Sequence, residues 1–94
     1  MSVAEIIRKK LEAALSPSLL EIVDESDRHK GHAGHRPGVE THFRITVISA
    51  AFAGKPRVAR QRMVTAALAE EMGNPVHALS MRTLTPEEAA AERA

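Results

Sequence analysis

Four of the five histidines in this 94-residue chain lie between Asp24 and Phe43, in DESDRHKGHAGHRPGVETHF: His29, His32, His35 and His42. The first three recur at every third position. Neutral imidazole is a good ligand for iron, zinc and copper. Gly31, Gly34, Pro37 and Gly38 deny the segment a helix face or a strand face. The stretch therefore reads as a flexible histidine-rich loop over about residues 25–40, and structureless connections of such length are usually functional or disordered. His77, the fifth histidine, sits far downstream in a strand-like segment. The expectation is that the fold brings the loop and His77 together to offer imidazole to a metal. His35 is the weakest candidate, and His42 reads as ordering the start of a strand. Asp24, Glu25 and Asp27 are either acceptors for imidazole N–H groups or ordinary strand-end charges. From spacing alone, the plainer role for His77 is a packed histidine with both nitrogens satisfied.

A second cluster is basic. Lys55, Arg57, Arg60 and Arg62 crowd the start of a predicted helix, while Glu70 and Glu71 stand near its end. The helix dipole favours the reverse, at about 0.3–1 kcal/mol per exposed charge. Either these side chains pair with carboxylates on neighbouring elements, or the basic end meets phosphate or an acidic partner. Against nucleic acid stand the net charge of +1, the two phenylalanines as sole aromatics, and the lack of a KH-type Gly-x-x-Gly clamp beside these basic residues. No Ser/His/Asp order, phosphate loop or paired-carboxylate motif appears, so no enzymatic activity is expected.

Positioning these groups falls to a small domain. Residues 1–94 read as one unit with a single modest core, burying about 60–65% of the unfolded surface. The core must be aliphatic, because Trp and Tyr are absent. There is no cysteine, hence no disulfide and no thiolate ligand. No apolar run approaches the roughly 20 residues of a membrane span, and the start of the chain has no signal-peptide pattern, so a cytoplasmic protein is expected.

Ser2 with Glu5 has capping-box spacing, and Val3, Ile6, Ile7, Leu11, Ala14 and Leu15 share one helix face. Ser16-Pro17 ends that helix. Leu19 to Val23 reads as a strand. His42 to Val47 alternates, with Phe43, Ile45 and Val47 inward. Ser49 to Gly54 is a turn region in which Phe52 plugs the core. Pro56 as the first helical residue and Gly73 just past the end bracket a helix of about four turns, with an apolar seam of Val64, Leu68 and Met72. Val76 to Leu84 is a strand with His77, Leu79 and Met81 on one face and Val76, Ala78, Ser80 and Arg82 on the other. Thr85-Pro86-Glu87-Glu88 starts a last helix, whose alanine-rich tail, about 89–94, is expected to fray. The fold class is α+β, in the order α-β-β-α-β-α. The first two strands pair antiparallel, and the strand–helix–strand unit crosses over right-handed to give a parallel pair. The result is a three-stranded mixed sheet with helices on one face.

These residues resemble the BolA family along nearly the whole chain. The resemblance is carried by Asp24-Glu25-Ser26 before the histidine loop, Glu40-Thr41-His42-Phe43, Val47-Ile48-Ser49, Phe52-Ala53-Gly54-Lys55 and Arg60-Gln61-Arg62-Met63-Val64. Further on come Leu68-Ala69-Glu70-Glu71, Val76-His77-Ala78-Leu79-Ser80 and Thr83-Leu84-Thr85-Pro86. It implies a fold like a class II KH domain. It also implies pairing with a monothiol glutaredoxin, as a heterodimer sharing a [2Fe-2S] cluster, in iron–sulfur trafficking and iron homeostasis. The family histidine in Val-His-Ala-Leu falls on His77. The second ligand falls on His29 by position after Asp-Glu-Ser, or on His32 by the Gly-His-Ala-Gly form of the loop. A chain without cysteine cannot hold such a cluster alone, so the partner must supply thiolates. Some family members are described as stress-linked DNA-binding regulators, a role that would fall here on Lys55, Arg57, Arg60 and Arg62. Two departures stand out: Gln61 replaces the histidine of a common Arg-His-Arg, and no tryptophan follows Thr85-Pro86.

Overall fold

The computed structural model describes residues 2–25, 42–73, 76 and 78–93. Helix α1, Val3–Leu15, begins where the Ser2 hydroxyl accepts the Glu5 N–H at 3.1 Å. It ends at Ser16, whose φ of 44° is left-handed and whose N–H donates to the Glu12 carbonyl. Strand β1, Leu19–Asp24, pairs antiparallel with β2, His42–Ile48. Strand β3, Ala78–Leu84, pairs parallel with β2, so the order across the sheet is β1-β2-β3. A short 3-10 turn, Ala50–Phe52, and helix α2, Arg57–Ala67, form the crossover from β2 to β3. Helix α3, Pro86–Arg93, closes the chain, and residues 89–93, expected as a fraying tail, form its later part.

The expected alternation in β2 holds: Phe43, Ile45 and Val47 are buried and Arg44 is exposed. Ile7, Leu11 and Leu15 of α1, with Val64 of α2 and Leu68 just beyond it, pack against that inward face. Phe52 is fully buried among them, as expected. On the other side of the sheet Glu21, Val23, Arg44, Ser80 and Arg82 are exposed, while Ile48 at its far end is buried.

Two expectations are corrected. Helix α2 stops at Ala67, not near Gly73, and Pro56 is its cap, not its first residue. The chain leaves the helix at Leu68 (φ −106°, ψ 20°), which stays fully buried. Gly73 serves a separate turn: with φ of +88° it donates its N–H to the Val76 carbonyl at 2.7 Å. The second correction is Val76. It does not lie on the outer face with Ala78; it is fully buried and bridges Met72 before β3 begins. Its isopropyl group joins the core, and this demand outweighs strict alternation.

Candidate functional site

His29, His32 and His77, the expected metal ligands, lie outside the described residues, as do His35 and Asn74-Pro75. Their chain neighbours are described. Strand β1 ends at Asp24, opposite Phe43, and the Glu25 N–H donates to the His42 carbonyl at 2.8 Å. His42 in turn stands in register with Ala78, the first residue of β3. The last residue before the histidine loop, the first residue after it, and the residue that follows His77 therefore share one end of the sheet. The Arg44 guanidinium lies 3.6 Å from the Glu25 carboxylate at this end. Val76, on the other side of residue 77, is held by a hydrogen bond from its N–H to the Glu71 carbonyl at 3.0 Å. Glu71 is itself tied to α1, because Lys10 Nζ donates to Glu71 Oε2 at 2.8 Å and to Glu70 Oε1 at 3.0 Å. Among the described residues, no group of three or more His, Cys, Asp or Glu side chains is placed to hold a metal.

The basic face sits at the other end of the sheet. Strand β2 has seven residues, so the two ends are about 20 Å apart at roughly 3.3 Å per residue. Here the four expected basic residues divide. Lys55, Arg57 and Arg62 are exposed and make no ion pair with any described residue. Arg60 is engaged on every side. Its Nη1 and Nη2 donate to the two oxygens of Glu88 at 2.6 and 3.1 Å. Its Nε donates to the Lys55 carbonyl at 2.8 Å, and Nη1 also reaches the Thr83 carbonyl at 3.0 Å. The guanidinium lies 5.9 Å from the Phe52 ring centroid, within the range of a cation–π contact. Hydrogen bonds from Arg60, then from the Thr85 backbone, hold the Glu88 carboxyl down at about 2. Arg60 thus joins α2, the 3-10 turn, β3 and α3. An open groove of about 470 Å³ beside it is lined by Lys55, Arg57, Thr83, Glu88 and Glu92 among others.

Half of the charge arrangement that opposed the α2 dipole is therefore structural. Arg60 is answered by Glu88, and Glu70 and Glu71 by Lys10. One structural residue escaped the sequence reading. Ser49 is fully buried; its hydroxyl donates to the Leu15 carbonyl at 2.6 Å and accepts the Ala51 N–H at 3.1 Å, while its own N–H donates to the Leu84 carbonyl at 2.9 Å. A serine directly after an apolar strand and before Ala-Ala-Phe was the available signal.

A three-stranded mixed sheet crossed on one face by α1 and α2, with α3 at its end, defines a small α+β domain of one recognisable type. The model of the BolA-like protein family matches residues 11–88, and the chain belongs to the BolA family. BolA-like protein 1 of Homo sapiens is 55% identical over 80 residues, covering 85% of this chain and 56% of that protein. The chain thus spans little more than half the length of that relative. The DNA-binding transcriptional regulator BolA of Escherichia coli (strain K12) is 43% identical over 88 residues, covering 94% of this chain and 80% of that one. The solved structure of BolA1 from Arabidopsis thaliana matches with a TM-score of 0.84 at 40% identity, over 94% of this chain and 96% of the other. Among the described residues, no helix is long and apolar enough to cross a membrane.

Proposed function

We propose that this chain pairs with a monothiol glutaredoxin and shares a [2Fe-2S] cluster with it, through His77 and either His29 or His32, in iron–sulfur trafficking and iron homeostasis. The observation that carries it is the register of His42 with Ala78 beside the Glu25–His42 hydrogen bond. It anchors the described residues that flank both histidine-bearing stretches at one end of the sheet. The donor chemistry fits a half-site: this chain offers imidazole and carboxylate but no thiolate, so sulfur ligands come from the partner. Histidine in place of thiolate raises the potential of such a cluster. The sequence shows no Ser/His/Asp order, phosphate loop or paired-carboxylate motif, which supports a binding role over catalysis. Co-purification with a monothiol glutaredoxin, followed by visible absorption and circular dichroism, tests this. His77→Ala changes or abolishes the cluster spectrum, and one of His29→Ala and His32→Ala does the same while the other does not. An unchanged spectrum in His77→Ala removes it from the ligand set.

A second reading rests on the exposed Lys55, just before α2, and Arg57 and Arg62 within it, and on the relative in Escherichia coli that is named a DNA-binding regulator. Three phosphate contacts predict a log–log salt slope of about −2.7, at about −0.9 per contact. A flat salt response rejects it.

A further inference from the structure

We propose that α3 is an acidic strap seated on the basic groove, and that duplex DNA must displace it to reach Arg60 and Arg82. The inference rests on the second reading above and adds to it a built-in competitor.

The strap is held mainly by charge. Of its eight residues, only Ala89 is buried. Residues 86–94 carry Glu87, Glu88 and Glu92 against a single Arg93. Two of those carboxylates take arginines: Glu88 binds Arg60 in the groove, and Glu92, which also lines it, lies 2.5 Å from Arg82 Nη2 on the open face of the sheet. Both pairs reach solvent, with Glu88 46% and Glu92 48% exposed, and exposed pairs are screened by salt. Apolar burial adds little to keep the helix down.

Docked in this way, α3 gives the groove both signs of charge. A phosphate approaching Lys55 and Arg57 meets Glu88 and Glu92 on the same wall, and like charges repel it. With α3 away, the charged residues left on the wall are Lys55, Arg57 and Arg60, all basic. Arg60 stays aimed into the groove, because the Lys55 and Thr83 carbonyls still hold it. The hinge is short: Thr85 alone separates β3 from α3. Glu88 also caps its own helix, since its carboxylate accepts the Thr85 N–H at 2.9 Å and its N–H donates to the Thr85 hydroxyl at 3.1 Å. The residue that starts the helix is thus the residue that seats it.

The test is a titration of a mixed-sequence DNA duplex into the full chain across a series of salt concentrations. Wild type is compared with Glu88→Gln/Glu92→Gln and with Ala90→Gly. The last is exposed, leaves the charge unchanged and weakens the helix. Both variants bind more tightly than wild type. The double variant has a salt slope steeper by about 0.9 for each of Arg60 and Arg82 that it frees. In wild type, added DNA speeds amide exchange in α3 while the β2 amides stay protected. If Ala90→Gly binds DNA as wild type does and α3 exchange is unmoved by DNA, the strap is overturned, even where the double variant gains from its altered charge. If none of the three proteins binds, the second reading fails and the strap fails with it.

Discussion

Glu88 Oε1 lies 2.6 Å from Arg60 Nη1 and 2.9 Å from the Thr85 N–H, so one carboxylate oxygen serves both a neighbouring helix and its own helix start. The folded chain therefore keeps this carboxyl ionised to about 2, against an ordinary value of 4.5. A group whose acidity is raised by folding stabilises the fold fully above its unfolded value and loses that contribution as pH falls through the folded one. The window runs from about 4.5 down to about 2. Lys55, Arg57 and Arg60 face Glu88 across the groove, and Glu92 lines it beside Glu88. Acid titration followed by amide exchange should show α3 loosening in that range while β2 holds. Glu88→Gln should start with a looser α3 and show a weaker acid dependence.

Lys10 spans a different gap. It joins α1 to the turn after α2, bonding Glu70 and Glu71 some 60 residues away. Glu71 is the inner partner: its side chain is 11% exposed, and its Oε1 is buried without a hydrogen-bond partner. Hydrogen bonds to Glu71, then Glu70, raise the Lys10 pKa above 10.5. The stabilisation is present below 10.5 and is lost as pH rises through the raised value. Lys10→Met should lower the melting temperature, because it leaves a mostly buried carboxylate uncompensated. Adding Glu71→Gln should recover part of that loss. A double variant melting no higher than Lys10→Met would show that the lysine contributes through its stem and not its charge. Thermal denaturation at neutral pH decides it.

What the sequence revealed of this fold, it revealed through local contacts. The Ser2 cap, the Thr85–Glu88 box and the alternation of Phe43, Ile45 and Val47 need only residues a few positions apart, and all are present. Strand pairing across long separations was legible from the element order, but side-chain contacts across such separations were not. The apolar spacing of Val64, Leu68 and Met72 continues past Ala67, so periodicity alone extends α2 to Gly73. What ends it is tertiary: Glu71 meets Lys10, and Val76 returns to the core. Of the reversed charges around α2, Arg60, Glu70 and Glu71 have partners in α3 and α1, where no periodicity points. The histidine candidates His29, His32 and His77 lie outside the described residues and rest on residue type and family likeness alone. The structure adds the shared sheet end marked by His42 and Ala78.

Gly73 tests the turn that delivers the chain to residue 77. Its φ is +88°, and a Cβ built there would meet nothing within 4 Å. Any cost of replacing it is thus conformational and not steric. An L-residue in this left-handed region loses about 1–2 kcal/mol, and asparagine visits it more readily. Gly73→Ala should therefore lower the melting temperature by roughly 4–8 °C per kcal/mol in a domain of this size, with Gly73→Asn falling between alanine and wild type. The turn is closed by the Gly73 N–H to the Val76 carbonyl and by the Val76 N–H to the Glu71 carbonyl. Exchange at the Gly73 and Val76 amides should rise first in Gly73→Ala, ahead of amides in β2. Equal melting for all three proteins would mean the turn rearranges to a negative φ at no cost. The anchoring of the residue 77 approach would then have to come from the buried side chain of Val76 alone.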